Sequence, residues 1–247
     1  MIASLPMYDR PETAEANDRF WQLLRNELPS GAPATLTRNI PDLMAHWQSP
    51  ELILSQTCGF PYRTDLSNKV NLVATPVLNL DCPPGYYYSV IIAHRSRAGE
   101  ALAKFDGAKA AYNDAMSQSG WAALHSHVAG AGLSLGSMIE TGAHRASALA
   151  VAEGRADIAA VDALTWQMIG KWDDFANALC EIGQTVPTPT LPYICALSKS
   201  PDAPLRALEV AAARLSEADK ATLGLLGVIS LPPQAYLAVP TPPAPTK

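Results

Sequence analysis

Hydrophobic positions along the chain follow two alternating patterns: short apolar runs, and longer segments in which apolar residues recur every three or four positions. The short runs predict buried strands and the longer segments predict amphipathic helices. Because the two kinds of element alternate, the pattern predicts an α/β fold of mostly parallel sheets with helices on both faces. The predicted strands cover residues 2–5, 34–37, 52–54, 70–73, 86–93, 108–112, 138–140, 157–161 and 191–196. The predicted helices cover residues 11–28, 41–47, 100–105, 118–129, 145–153, 164–179, 204–215 and 217–225.

Chain-breaking residues divide this pattern into two lobes. A cluster of Asp, Cys, Pro and Gly at 81–85 marks the first crossing, and three prolines within 187–192 stiffen the return, which residues 181–186 are expected to carry. Prolines crowd residues 232–245, so we expect an irregular C-terminus. The predicted lobes are 1–85 with 188–247, and 86–187.

Composition and charge narrow the class of protein. The chain has 247 residues, 48% of them hydrophobic and 17% charged, which is typical of a globular protein with a substantial core. A formal net charge of −5 without a basic cluster argues against a nucleic-acid partner. No apolar run is long enough to cross a membrane, and residues 1–6 show no secretion signal, so a cytoplasmic location is expected if Met1 is the native start.

The cysteines give no sign of a metal site. Cys58, Cys82, Cys180 and Cys195 are widely spaced and form no C-x-x-C pair, so zinc binding is not indicated. Two disulfides and four thiols both fit this spacing. We expect no cofactor and no metal.

One stretch has the features of an anion site. Ser117, Gln118, Ser119 and Gly120 follow the predicted strand 108–112 and open a helix. Serine hydroxyls beside the unpaired N–H groups of a first helical turn can hold an oxyanion without Lys or Arg. The alternative is that one serine only caps the helix.

Further polar residues follow other predicted strands. Since ligands of α/β proteins bind beyond the carboxyl ends of the strands, these groups are expected to face a cleft between lobes that close over a ligand. Asp162 could accept a proton from a protonated oxyanion or an ammonium group, or cap the next helix. His144 could contact the ligand or serve as a surface or capping histidine. The groups are Tyr8 and Asp9, Ser55 to Thr57, Asn113, Thr141 with His144, and Asp162.

Two segments carry a family resemblance. Y-N-D-x-x-S-Q-S-G, from Tyr112 to Gly120, resembles the A-x-N-x-x-S-x-S-G motif of phosphate, phosphite and phosphonate ABC-transporter substrate-binding proteins. Residues 141–166 resemble the family's G-x-H-x-x-S segment and the G-x-x-D-x-A-x-x-D that follows it. The resemblance implies a two-lobed type II periplasmic-binding-protein fold with the ligand between lobes. It also implies a periplasmic location, a permease partner and no catalysis.

The resemblance also implies the site. The phosphonate-contacting positions match Ser117, Gln118, Ser119 and His144, with Asp162 in the same cleft, while the tyrosine of the first loop matches Tyr8. The chain is thus expected to act as a monomer that binds phosphonate, phosphite or phosphate, a choice that stays open. The full predicted ligand-binding set is Tyr8, Ser55, Gln56, Thr57, Asn113, Ser117, Gln118, Ser119, His144 and Asp162.

Two other functions remain as alternatives. The first is an enzyme on the same two-lobed scaffold that uses Cys58 or His144 in its chemistry, because Cys58 follows a strand and no secretion signal is visible. The second is a cytoplasmic ligand-sensing module, which would need a partner domain.

Overall fold

The computed structural model describes residues 1–245, which form two compact units. Unit 1 comprises Met1–Tyr86 and Pro189–Val239, and unit 2 comprises Tyr87–Thr188 together with residues 240–245. The sequence placed 240–245 in the first lobe, and the remaining residues assigned there, 246 and 247, lie outside the described part of the chain. No helix within residues 1–245 is both long and apolar enough to cross a lipid bilayer.

Strands and helices alternate through both units. The strands are β1 (Ile2–Ser4), β2 (Leu52–Gln56), β3 (Val70–Leu78), β4 (Tyr86–Tyr87), β5 (Ser89–His94), β6 (Ala108–Tyr112), β7 (Leu135–Glu140), β8 (Ile158–Asp162), β9 (Leu179–Gln184), β10 (Thr188–Pro189), β11 (Tyr193–Ala196) and β12 (Leu225–Ile229). The α-helices are α1 (Ala14–Glu27), α2 (Leu43–Trp47), α3 (Gly59–Pro61), α4 (Ala123–Gly130), α5 (His144–Ala152), α6 (Ala163–Trp172), α7 (Asp202–Arg214), α8 (Glu217–Leu223) and α9 (Pro233–Leu237). Short 3-10 segments cover Arg95–Arg97, Leu102–Phe105 and Asp174–Ala178, and π-helical turns cover Tyr62–Leu66 and Gln118–Ala122.

The sheet of unit 1 has the strand order β1-β2-β11-β3-β12. Strand β1 pairs with β2 in parallel, and β11 runs antiparallel to both β2 and β3. Strand β12 is antiparallel to β3. Strands β1, β2 and β3 therefore share one direction, and their carboxyl ends lie at one edge of the sheet, while β11 and β12 return in the opposite direction.

The sheet of unit 2 has the order β7-β6-β8-β5-β9. Strand β6 is parallel to β7 and β8, whereas β5 is antiparallel to β8 and β9. Four of its five strands consequently share one direction and β5 alone opposes them. Both sheets are mixed, and β5 and β11 are the first strands of the main sheets after the chain passes from one unit to the other.

The core of unit 1 is built by two helices that cover its sheet. Helix α1 buries one apolar stripe that includes Phe20, Trp21 and Leu24, and it packs against α7. Ala207 and Ala211 of helix α7 pack in the same hydrophobic cluster as these residues of α1. Small side chains at these positions let the two helix backbones approach closely, because a helix face without bulk leaves room for the opposing ridge.

Several predicted elements differ from the structure. Residues 34–37 form no strand, since the segment contributes Thr37 N–H to the Ala3 carbonyl at 2.7 Å but does not continue as a ladder. Residues 181–186 do not carry the return, because most of them belong to β9, an edge strand of unit 2. The return occurs at β10, which pairs with β4. The sequence analysis missed β12, and residues 232–245 are not irregular throughout, since they include α9.

Helix α9 is held in place by a buried tyrosine. The Tyr236 hydroxyl lies 2.7 Å from Thr75 Oγ1 and donates to the Thr190 carbonyl at 2.8 Å. Its ring packs edge-on against Tyr62, with ring centroids 5.2 Å apart. Burial raises the pKa of this phenol far above its usual value, which keeps it a neutral donor.

We expect Tyr236→Phe to lower the free energy of unfolding by about 1–3 kcal/mol, because two buried oxygen atoms lose a hydrogen-bond partner. Urea denaturation of the purified parent and variant proteins measures this change in the free energy of unfolding. Thr75→Val removes one of the same bonds, so the double variant should lose less than the sum of the single variants. Full additivity, or a variant as stable as the parent, would contradict this role for the hydroxyl.

Candidate functional site

The carboxyl ends of three parallel strands in unit 2 bring several predicted site residues to one edge of its sheet. Asn113 follows β6, His144 begins α5 just after β7, and Asp162 is the last residue of β8. Because β7, β6 and β8 are neighbours that run in the same direction, these positions lie at the same edge. The turn that follows Asn113 packs against β8.

Residues 117–122, which we call the serine turn, open the helix after β6. Ser117 is its N-cap, and its Oγ accepts from the Gly120 N–H at 3.0 Å. The Ala122 N–H donates to the Ser117 carbonyl at 3.0 Å, which gives a wide π-helical turn before α4. The other N–H groups at the start of such a turn have no acceptor within the helix, so they are suited to an anion.

A close contact between Asn113 and Gly120 shapes this turn. A side chain on Gly120 would place its first carbon 1.8 Å from Asn113 Oδ1 and 3.2 Å from Ser117 Oγ. Asn113 Oδ1 itself is buried without a hydrogen-bond partner. Only glycine lets the asparagine and the capping serine pack this closely against the turn.

Ser119 and His144 form the central hydrogen bond of the site. Ser119 Oγ lies 2.7 Å from His144 Nε2, which joins the serine turn to the first residue of α5. Burial is the main reason that the pKa of His144 falls from about 6.5 to about 4, and the backbone of Ala160 acts in the opposite direction. The imidazole is therefore neutral near pH 7, so one ring nitrogen carries a proton and the other carries a lone pair.

The loop before α5 is tied to the end of β6. The Thr141 N–H donates to the Tyr112 carbonyl and the Gly142 N–H donates to the Asn113 carbonyl, both at 2.9 Å. Thr141 Oγ1 also bonds Ser147 Oγ at 2.7 Å. Thr141, which the sequence analysis placed among the polar groups beyond strand ends, thus has a structural role. These hydrogen bonds position His144 opposite the serine turn.

The arginine next to His144 is committed elsewhere. Arg145 Nε donates to Asp173 Oδ1 at 2.7 Å, and its guanidinium lies over the Phe175 ring. Asp173 is buried and the Arg145 side chain is 56% exposed, so this ion pair holds the arginine at the protein surface. The donors contributed by Ser117, Ser119 and neutral His144 are consequently uncharged.

Asp162 takes the capping role that the sequence analysis had left as an alternative. Its Oδ1 accepts from the Thr165 N–H at 2.9 Å at the start of α6, and the residue is almost fully buried. A buried carboxylate that caps a helix also interacts favourably with the positive end of the helix dipole. This geometry accounts for Asp162 without a ligand.

Two predicted residues of unit 1 line a small cavity. Tyr8 follows β1 and Gln56 ends β2, and with Asn17 and Tyr193 they surround a space of about 30 Å³. Gln56 Nε2 donates to the Leu191 carbonyl at 3.1 Å, so its amide oxygen is the end left to other partners. The cavity holds roughly one water molecule, which is smaller than any of the proposed ligands.

Ser55 and Thr57 lie inside unit 1 and not at an open edge. Ser55 Oγ is fully buried, 2.7 Å from Ser4 Oγ and 3.2 Å from the Trp47 Nε1 that donates to it. Thr57 is fully buried and its N–H donates to the Pro192 carbonyl at 3.0 Å. Because side chains alternate along a strand, Gln56 and Ser55 face opposite sides of β2.

The sequence analysis gave no role to several residues that shape these sites. Gly120 was given only as part of the serine stretch and its motif, Trp121 lay within a predicted helix, and Asn17 was not singled out. Asn17 carried a signal, since it is a polar residue on the buried face of α1, where it bonds Asp9 Oδ1 at 3.1 Å. Within residues 1–245 no cluster of metal-binding side chains is present, and the four cysteines form no disulfide with one another.

The profile of one protein family matches nearly the whole chain. Residues 2–232 match the family described as ABC transporter, phosphonate, periplasmic substrate-binding protein. The chain belongs to this family. Members of the phosphonate-binding family are substrate-binding proteins and not enzymes, so a small-molecule ligand and a permease are the partners that membership implies. No protein with curated annotation matches the sequence.

Solved structures support the fold of this phosphonate-binding family member. PhnD1 from Prochlorococcus marinus in complex with methylphosphonate has a TM-score of 0.75 at 13% identity, covering 96% of this chain and 95% of its own. A binding-protein component of an ABC phosphonate transporter from Pseudomonas aeruginosa has a TM-score of 0.74 at 14% identity, with 92% and 80% covered. A histidine kinase sensor domain similar to periplasmic binding proteins has a TM-score of 0.59 at 15% identity, with 92% and 97% covered. The type II periplasmic-binding-protein fold predicted from the sequence is confirmed.

We expect Gly120→Ala to destabilise the protein by about 1–3 kcal/mol, because the added carbon overlaps Asn113 Oδ1 and forces the turn apart. Thermal denaturation followed by circular dichroism measures the change. Gly130→Ala is the control, since nothing lies within 4 Å of its added carbon. A Gly120→Ala protein as stable as the Gly130→Ala protein would contradict the close contact.

The neutral His144 predicts a particular pH dependence of stability. Its folded pKa, about 4, lies below the usual value near 6.5, so the unfolded chain binds more protons between these pH values. The histidine's contribution to stability is complete above pH 6.5 and is lost as the pH falls towards 4. The His144→Gln protein should therefore lose less unfolding free energy than the parent over this interval. Urea titrations at several pH values between 4 and 6.5 measure the free energy of unfolding, and His94→Gln is the control. If this free energy changes equally with pH in the parent and in His144→Gln, the assignment is wrong.

Proposed function

We propose that this chain is the solute-binding component of an ABC importer and binds a small phosphonate-like oxyanion at the serine turn, without chemical change of the ligand. Support comes from family membership together with one observation, the 2.7 Å hydrogen bond between Ser119 Oγ and His144 Nε2 at the carboxyl edge of the unit 2 sheet. The ligand class comprises phosphonates, phosphite and phosphate, which share a tetrahedral phosphorus with several oxygen acceptors.

The donors match such a ligand in number and kind. The first turn supplies N–H groups with partial positive charge, Ser117 and Ser119 supply hydroxyls, and Gln118 supplies an amide. All three side chains are nearly buried, at 5%, 4% and 4% exposed. Hydrogen bonds from buried donors to an ionised acceptor are stronger than those between neutral groups, so a few uncharged donors suffice to hold an anion.

Among the contacts that residues 1–245 make with the serine turn, the donors named above are uncharged, which favours reversible capture. Arg145 is paired with Asp173, and His144 is neutral near pH 7. When the anion leaves, uncharged donors return to water or to one another at low cost, whereas a buried cation would lose its partner. A transport protein must release its ligand to the permease, and this donor set suits release.

The Ser–His pair is better suited to binding than to catalysis. A serine nucleophile needs a base that takes its proton, and a third group that stabilises the imidazolium. His144 Nδ1 is buried without a hydrogen-bond partner, and the pKa near 4 makes the ring a weak base at neutral pH. We therefore propose a non-catalytic role for His144 and retain Cys58, the cap position of α3, as a structural residue.

Some of the remaining predicted ligand-binding residues are kept in the proposed site and others are left out. Asn113 packs against Gly120 of the turn, and Tyr8 and Gln56 are polar groups at the carboxyl ends of β1 and β2 in unit 1. We leave out Ser55 and Asp162, whose side chains are satisfied inside the protein. We further propose a monomer in the periplasm that works with a membrane permease and has no nucleic-acid partner.

Isothermal titration calorimetry against phosphite, methylphosphonate, 2-aminoethylphosphonate and phosphate tests the proposal. We expect binding of at least one, and Ser119→Asp should weaken it about a hundredfold or more, because a carboxylate would lie beside the bound anion and lose solvation there. The control is Ser126→Asp, which adds the same charge on the exposed face of α4 and should leave affinity nearly unchanged.

Two results would count against this function. No heat with any of the four anions, from a folded protein freed of carried-over ligand by partial unfolding and dialysis, would remove the ligand class. Equal affinity of parent and Ser119→Asp would keep a ligand but move it away from the serine turn.

A further inference from the structure

The C-terminal segment, residues 240–245, contacts the serine turn directly. The chain leaves unit 1 after Val239, and residues 240–245 lie with unit 2. There Trp121 Nε1 donates to the Pro243 carbonyl at 2.9 Å. The family profile ends at residue 232, so α9 and this segment lie beyond the part of the chain that the family shares.

Trp121 is part of the serine turn, two residues after Ser119. Its side chain is 2% exposed, and its ring lies 5.7 Å from the Tyr112 ring and 5.1 Å from the His125 ring, centroid to centroid. An indole N–H this deeply placed needs an acceptor, since leaving it unpaired costs about as much as the desolvation of the group. The Pro243 carbonyl is the acceptor that the structure provides.

The composition of the segment suits docking on an aromatic surface. Four of its six residues, at positions 240, 242, 243 and 245, are proline. Proline favours the extended polyproline II conformation, which loses little entropy on ordering, and proteins often bind such segments with an aromatic group and an indole N–H. Trp121 supplies both here, and its ring lies next to those of Tyr112 and His125.

We propose that residues 240–245 act as a strap that positions the serine turn for anion binding through the Trp121 indole. With the strap docked, the indole is fixed between Tyr112 and Pro243, and the backbone from Ser119 to Trp121 keeps its direction. Without the strap the N–H turns towards water, and the turn gains conformations that hold the anion poorly. Trp121 is thus a positioning residue, and this inference rests on the function proposed above.

Affinity for methylphosphonate and phosphite, measured by calorimetry, tests the strap. A protein ending at Val239 should bind the better of the two anions about fivefold or more weakly, the loss expected for one hydrogen bond. A full-length protein with Gly and Ser in place of residues 240–245 should show a similar loss without a new chain end. The control ends at Pro245 and lacks only residues 246 and 247, so it removes the same lysine charge and should keep its affinity.

A double-variant cycle separates positioning from general stability. Trp121→Phe keeps an aromatic six-membered ring but removes the N–H together with the five-membered ring of the indole, so it should weaken binding, and truncation after Val239 should weaken this variant little further. Unchanged affinity of both the truncated and the Gly/Ser proteins would overturn the proposal. Fully additive losses would also overturn it, because the strap would then act through a contact other than the indole.

A readout without ligand distinguishes the strap from the proposed function. The Trp121 indole N–H resonance, assigned in a ¹⁵N-labelled protein through Trp121→Phe, should shift and exchange faster with solvent after truncation at Val239. If this happens while no anion binds any variant, the docking is real and the anion function fails. If truncation leaves the resonance unchanged, the proposal that residues 240–245 dock on Trp121 is wrong, whichever anion the protein binds.

Discussion

The hydrogen bond from the Gly120 N–H to Ser117 Oγ is the contact on which the candidate site depends. It caps the turn, and its geometry requires that Gly120 carry no side chain, because Asn113 occupies the space that a side chain would need. The wide π-helical turn that results presents Ser119 to His144. If this cap were lost, the N–H groups and the serine hydroxyls of the turn would no longer converge on one position, even with the rest of unit 2 unchanged.

A site made of uncharged groups solves a particular physical problem. For the anion binding proposed above, the protein must hold the anion tightly enough to collect it and loosely enough to deliver it. Burial strengthens each hydrogen bond and keeps His144 neutral, so the site gains strength without a fixed positive charge. The ion pair between Arg145 and Asp173 contributes by keeping the neighbouring cation occupied.

Both units place polar side chains at the carboxyl ends of parallel strands, but they differ in what else lies there. In each, the carboxyl ends of parallel strands bring polar side chains to one edge, Tyr8 and Gln56 in unit 1 and Asn113 and His144 in unit 2. In unit 2 a helix N-terminus with serine hydroxyls lies at that edge as well. The C-terminal strap is a further addition beyond the family's shared region, and it contacts that same turn.

The sequence by itself determined the alternation of strands and helices, the start of the serine turn after β6, and the family, because these depend on local signals: apolar period, capping residues and a contiguous motif. It did not determine that residues 34–37 lack a ladder or that β9 stays in unit 2, since strand pairing depends on distant partners. Likewise, Ser55 faces inward and the Trp121 indole reaches a carbonyl 122 positions away. Contacts of that sequence separation exist only once the chain has folded, so tertiary structure alone decided them.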